Sequence, residues 1–253
     1  MLLPRLIPVL LITRDGIVKT QNFQNPKYIG DIINSVKIFN EKKVDELIIL
    51  DIEASKLNTE PNYKLIEKIA LEANMPICIG GGIKNNEQAN RIFNLGVEKV
   101  CLSSILVEKS SIVREISLNV GSQSVAAVLD VKKINNEYVL FVNNGKKKVQ
   151  LDLKQFIHSL QENGVGEIIL NSIDNDGQMS GYDFDLVDQF YSEIKVPFTI
   201  IGGAGKLEDI QNLFKKYKNI NFGCGSLFVF KGFRRSVLLN YPELSKKISL
   251  FNN

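Results

Sequence analysis

Short runs of Ile, Val and Leu alternate along the chain with longer segments whose apolar positions recur every three to four residues. The short runs predict strands and the longer segments amphipathic helices. Strands are expected near Leu6–Ile12, Glu46–Asp51, Ile77–Ile79, Lys99–Leu102, Ser124–Asp130, Glu167–Leu170, Phe198–Ile201 and Ile220–Phe222. Helices are expected between them, among others over Tyr63–Glu72, Asn86–Asn94, Leu151–Glu162, Asp185–Glu193 and Lys206–Tyr217. Strands alternating with helices imply an α/β fold with a parallel sheet, and eight such units suffice to close a (β/α)8 barrel, also called a TIM barrel.

The pattern also repeats. Asp45-Glu46-Leu47-Ile48-Ile49-Leu50-Asp51 returns as Gly166-Glu167-Ile168-Ile169-Leu170. Met75-Pro76-Ile77-Cys78-Ile79-Gly80-Gly81-Gly82 returns as Val196-Pro197-Phe198-Thr199-Ile200-Ile201-Gly202-Gly203-Ala204, each copy about 120 residues after the first. One barrel over residues 1–253, built from half-barrels at about 1–121 and 122–253, is therefore expected. Two separate four-stranded domains would leave exposed sheet edges that closure removes.

Composition narrows the function classes. The chain has 253 residues, 44% of them hydrophobic and 23% charged, as in an ordinary globular protein. Its net charge is only +3, and Lys146-Lys147-Lys148 after Asn143-Asn144-Gly145 reads as a solvated hairpin turn, so no nucleic-acid arm is expected. The apolar stretch Met1–Ile12 is broken by Pro4, Arg5 and Pro8 and lacks a cleavage site, so neither a secretion signal nor a membrane span is expected. Cys78, Cys101 and Cys224 show no CxxC spacing and lie in apolar runs, which fits buried strand residues in a reducing cytoplasm. His158 is isolated in a helical segment and reads as a plain helix residue. No metal and no cofactor are expected.

Candidate chemistry collects where strands end. Two insertions, Thr13–Pro26 with Asp15-Gly16 at its tip and Lys19 beyond, and Val131–Val149, a predicted hairpin, follow the first and fifth strands and suggest lids, with a passive surface excursion as an equal reading of the second. In a barrel the loops after strands build the active site. Gly80-Gly81-Gly82 and Gly202-Gly203-Ala204-Gly205 end the third and seventh strands, with Ser103-Ser104 and Gly225-Ser226 at the neighbouring strand ends. Bare backbone N–H groups beside small hydroxyls suit phosphate oxygens, although glycines also serve simply to turn tightly. Asp51, Asp130, Asp174 and Asp176 are carboxylates with a route to such a pocket, and Asp130 holds the usual address of an acid–base residue, with structural capping of a turn as the competing role. By the repeat, Leu11 occupies the equivalent place on the first strand, and leucine cannot move a proton.

These motifs resemble the cyclase subunit of imidazole glycerol phosphate synthase over almost the whole chain. The resemblance rests on Arg5-Leu6-Ile7-Pro8, Asp45 to Ile52, Gly80-Gly81-Gly82-Ile83, Asp174-Asn175-Asp176-Gly177 with Gly181-Tyr182-Asp183, and Gly202 to Lys206. It implies a barrel that receives ammonia from a glutaminase, two phosphate sites for a bisphosphate, and two catalytic aspartates ending the first and fifth strands. Asp130 matches the second aspartate and Lys19 the lid lysine, whereas Leu11 falls on the first. The phosphate set implied here is Gly82, Ser103, Ser104, Asp176, Gly177, Gly202, Gly203, Gly225 and Ser226, softened by Ser103, Asn171 and Ile201 where the family has Asn, Thr and Ser. Arg5, Glu46, Lys99 and Glu167 match the charged ring that closes the family's ammonia channel, and a stabilising salt-bridge ring is the competing reading.

A retained channel beside an altered acid–base pair, with Leu10-Leu11 on the first strand, Lys19-Thr20 and the run Tyr28-Ile29-Gly30-Asp31, resembles the cyclase-like proteins of acetamidino-sugar formation on bacterial surfaces. The expectation is a cytoplasmic barrel that docks a glutaminase at its N-terminal face, feeds ammonia toward a phosphorylated small molecule, and works with a sugar amidotransferase. The histidine-pathway lyase and a noncatalytic scaffold that activates the glutaminase are the alternatives.

Overall fold

The computed structural model describes residues 3–252; Met1 and Leu2, the start of the apolar N-terminal stretch, and Asn253 lie outside the described residues. Eight parallel strands form the barrel: Leu6–Thr13, Leu47–Asp51, Ile77–Gly80, Lys99–Leu102, Val125–Ile134, Glu167–Ser172, Phe198–Ile201 and Asn221–Cys224. Each pairs with the next, and the eighth returns to the first through Leu6 opposite Phe222. The fold is the expected α/β barrel. No helix is long and apolar enough to cross a membrane among the described residues.

Side chains alternate across this sheet, as strand geometry requires. One set faces the surrounding helices: Leu6, Leu47, Ile49, Ile77, Val100, Ile168 and Ile200 pack against helical residues such as Phe39, Ile69, Ile116 and Phe190. The other set fills the barrel interior with Ile7, Val9, Ile48, Cys78, Cys101, Ala126, Val128, Ile169 and Ile201.

Helix starts follow their caps. Asp152 accepts hydrogen bonds from the backbone of Lys154 and Gln155, so that helix runs Leu153–Glu162, and Asp183 accepts one from Leu186 N, starting the next at Phe184. Each begins one or two residues from the sequence expectation, because a side-chain acceptor satisfies the free N–H groups of the first turn. Tyr63–Glu72 falls where expected. Two four-residue helices, Ile105–Glu108 and Ser226–Val229, were not expected; they follow the serine motifs directly.

The first insertion requires a correction. It is not a loop but a pair of strands, Gly16–Gln21 and Gln24–Gly30, folded antiparallel onto the first barrel strand with Leu11 opposite Val18. The second is the expected hairpin: the fifth strand runs past the barrel to Ile134 and turns through Asn135-Asn136 onto Glu137–Val142. His158 lies exposed on its helix, its Nε2 2.9 Å from Glu193 Oε2.

Candidate active site

Inward-facing residues change character along the barrel axis. At the N-terminal end of the interior, Arg5 bonds Glu46 and lies 2.8 Å from Glu167, while Lys99 Nζ lies 2.8 Å from Glu46 and 2.7 Å from Glu167. The Thr199 hydroxyl donates to Glu167 as well. Two cations and two anions therefore form a closed, neutral ring. Burial alone would lower the Arg5 and Lys99 values, but the Glu167 and Glu46 carboxylates outweigh it and raise both. Burial likewise opposes ionisation of Glu167, yet Lys99 and Arg5 hold its carboxyl below the usual range. All four ring residues expected from the sequence are thus brought together.

Above the ring the interior is apolar, and at the C-terminal end it opens into a pocket. Val9, Leu11, Leu50, Val128 and Ile201 form its deep walls. Leu11 lines the pocket from the first strand, in register with Leu50 of the second, as Asp130 of the fifth is with Asn171 of the sixth. Asp130 is half-buried there, and its Oδ1 accepts a 2.8 Å hydrogen bond from Asn171 Nδ2. Burial pushes the Asp130 carboxyl up to about 7; the Asn171 bond lowers it and the Asp176 charge raises it further. Asn171 Oδ1 is buried without a protein partner, so the pocket presents an unused acceptor beside its acid.

Lys19 does not ride on a mobile tip, as a lid-loop lysine would. It sits in the strand Gly16–Gln21, only 5% exposed, with Nζ 3.4 Å from Val9 O. Burial lowers its value toward the neutral amine, while Asp176 and Cys224 pull the other way. The cover is pinned: Thr20 Oγ1 donates to Asp176 Oδ2 at 2.7 Å, Asn22 N donates to Asp176 O at 3.0 Å, and Asn22 Nδ2 donates to Asp174 O at 2.8 Å. Gly177 lies beneath it, with Thr20 O 2.1 Å from the point a Cβ would occupy, so only glycine fits. Asp15 stays exposed at the turn and does not line the pocket.

Every residue of the expected phosphate set lines this one pocket: Gly82, Ser103, Ser104, Asp176, Gly177, Gly202, Gly203, Gly225 and Ser226. Gly82 and Gly203 adopt φ of 75° and 110°, conformations that strain other residues. The short helices Ile105–Glu108 and Ser226–Val229 begin at residues that line the same space, Ile105 and Ser226. Ser104 is partly committed, because its Oγ accepts from Asn143 N at 3.1 Å.

The other carboxylates divide. Asp51 lines the pocket but caps a turn, its Oδ1 accepting from Glu53 N and Ala54 N, both at 2.9 Å. Asp174 faces away and accepts from Lys133 N at 2.9 Å, so the expected route to the pocket is not taken. Sequence reasoning missed Phe23 and Asn144, which come from the two insertions and both line the pocket. Phe23 packs 2.9 Å from where Gly145 would carry a Cβ, so the insertions meet over the site. Only the pairing of two distant excursions reveals that contact.

Comparison with known proteins fits this architecture. A family model described as histidine biosynthesis protein matches residues 5–233. A Vibrio vulnificus protein, provisionally named imidazole glycerol phosphate synthase subunit hisF3, is 51% identical over 249 residues, covering 98% of this chain and 96% of that one. A Pseudomonas aeruginosa protein, provisionally named subunit hisF2 of the same synthase, is 47% identical over 243 residues, 96% and 97% of the two chains. The Chlorobaculum parvum imidazole glycerol phosphate synthase subunit HisF is 33% identical over 231 residues, 91% and 92% of the two chains. With the barrel, the ring and the pocket motifs all inside these matches, the chain belongs to the histidine biosynthesis protein family, among the HisF-type barrels of imidazole glycerol phosphate synthase.

Proposed function

We propose that the chain is the barrel subunit of a glutamine-dependent complex of the imidazole glycerol phosphate synthase type. It docks a glutaminase at its N-terminal face and takes ammonia through its interior to a phosphorylated substrate at its C-terminal face. The observation that carries this reading is the order of layers inside one barrel: a neutral charged ring, an apolar passage, then an acid-bearing pocket with glycine and serine cradles. The relatives' names favour a histidine-pathway bisphosphate as substrate, and none of them supports the acetamidino sugar. The lyase reading therefore takes precedence over the sugar-directed one.

In the lyase reading the two cradles hold the two phosphates and set the reacting carbon chain across the pocket. Asp130, pushed up to about 7, is poised to give or take a proton near neutral pH, where proton transfer is most effective. Lys19, moved toward its neutral form by burial, lines the same pocket and supplies a second group able to exchange a proton. Closure of the two insertions excludes water.

Leu11 favours a second reading, in which the docking and the passage are kept but the acceptor is a sugar or a partner that carries one. Ammonia-dependent turnover of the bisphosphate by the purified chain, beside the single replacement Leu11→Asp, separates the two. Robust turnover by the unmodified chain supports the lyase; turnover that appears only with Leu11→Asp, a gain of roughly two to four decades, places the second reading first. Sedimentation with the cognate glutaminase tests the docking. No complex at high concentration of both components would overturn it, whereas Lys99→Ala is expected to alter ammonia transfer, measured below the temperature at which the destabilised variant unfolds.

A further inference from the structure

Midway along the barrel interior, between the charged ring and the pocket, two cysteines meet. Cys78 on the third strand and Cys101 on the fourth both belong to the inward-facing cluster, and their sulfur atoms are 2.6 Å apart. Both are buried, at 0% and 3% exposure. Cys78 lies in register with Lys99 of the ring, whereas Cys101 lines the pocket. A disulfide spans 2.03–2.05 Å, so an approach of about half an ångström closes the bond.

We propose that Cys78 and Cys101 are a site of reversible oxidation, closed by hydrogen peroxide into a disulfide that ties the third and fourth barrel strands inside the passage. Cys101, on the pocket side, reacts first. Its sulfur gives up its proton and attacks one peroxide oxygen; the S–O bond forms as the O–O bond breaks, leaving a sulfenic acid and one water. The Cys78 sulfur then attacks the Cys101 sulfur, the S–S bond forms, the S–O bond breaks, and the departing hydroxide takes the Cys78 proton as a second water. Two thiols are oxidised by two electrons and one peroxide is reduced to two waters.

The order follows from position. Burial holds Cys78 well up in its protonated form, so it waits until its neighbour has become electrophilic. Cys224 supplies an internal contrast: it is equally buried, but its sulfur lies 3.2 Å from the Tyr182 hydroxyl, and it belongs to the helix-facing cluster.

The test uses the reduced full chain, treated with hydrogen peroxide, unfolded in the presence of a thiol-alkylating maleimide, digested with trypsin and weighed. The expected result is a mass lower by two hydrogens shared between the peptide 69–84 and the peptide 100–109, restored by a thiol reductant, with Cys224 alkylated throughout. With Cys78→Ala, Cys101 should instead carry oxygen that dimedone traps. Three alkylated thiols after peroxide, oxygen adducts on the native pair without a link, or a link through Cys224 would each overturn the proposal. The readout needs neither glutaminase nor acceptor, so its failure is separable from failure of the functional reading.

Discussion

At the N-terminal end of the barrel four charges neutralise one another, and at the C-terminal end the Asp130 carboxyl shares its pocket with apolar walls. Glu167 has two cationic partners and a hydroxyl, so its charged form is favoured even though it is 2% exposed. Asp130 has one amide for a partner, and burial drives it toward the neutral form. The same residue chemistry is thus set in opposite directions by what surrounds it. A carboxylate held in its charged form is inert scaffold or gate, while one poised near neutrality can exchange protons.

The largest break in that contrast is Asp130→Asn. It should lower ammonia-dependent turnover by about two to four decades while leaving the ring undisturbed. It should also change stability with a definite sign. Because the folded-state value of Asp130 lies near 7, above its unfolded value, the folded chain holds this proton longer, and its contribution falls as pH rises from about 4 to about 7. Asp130→Asn should flatten that slope and raise the urea midpoint at pH 8 relative to the unmodified chain. A parallel fall at both pH 5 and pH 8 would contradict the assignment.

Glu167→Ala attacks the other end. It leaves Arg5 and Lys99 sharing Glu46 alone, which for a buried ion pair costs about 3–5 kcal/mol. The Glu167 value is depressed, so its contribution is present above the unfolded carboxyl value of about 4.3 and is lost as pH falls through the folded one. Urea unfolding at pH 7 and pH 3 should therefore differ between the two chains much more at pH 7.

Smaller effects sharpen the comparison within the pocket. Ser226→Ala should weaken inorganic phosphate binding by about tenfold, the worth of one hydrogen bond to a charged group, measured by calorimetry. Ser104→Ala should do less, because its hydroxyl already accepts from Asn143 N. An equal loss from both would show that the two cradles are not distinguished in this way.

Particular residues show how far the sequence could be read. The ring was legible because Arg5, Glu46, Lys99 and Glu167 all fall at strand starts, where a closed barrel must gather them. The pocket glycines and serines were legible because they stand at strand ends in duplicate. Lys19 was placed in a loop, yet it lies in a strand: Ile17 and Val18, both buried, extend the sheet beyond the barrel, a pattern that turn residues at Asp15-Gly16 and Asn22-Phe23 disguised. Asp174 and Asp176 looked equivalent in the sequence. Backbone donors decided between them, with Lys133 N claiming one and the cover claiming the other.

The sequence by itself determined the barrel, the positions of its charged and glycine-rich ends, and the inward place of Leu11, because strand period and repeat fix which residues face inward and at what height. Only the tertiary structure decided the closure of Phe23 over Gly145, the burial of Lys19, the proton affinity of Asp130 and the meeting of Cys78 with Cys101. Those depend on distances between segments far apart in the chain, and on how much water the packing leaves around a charge.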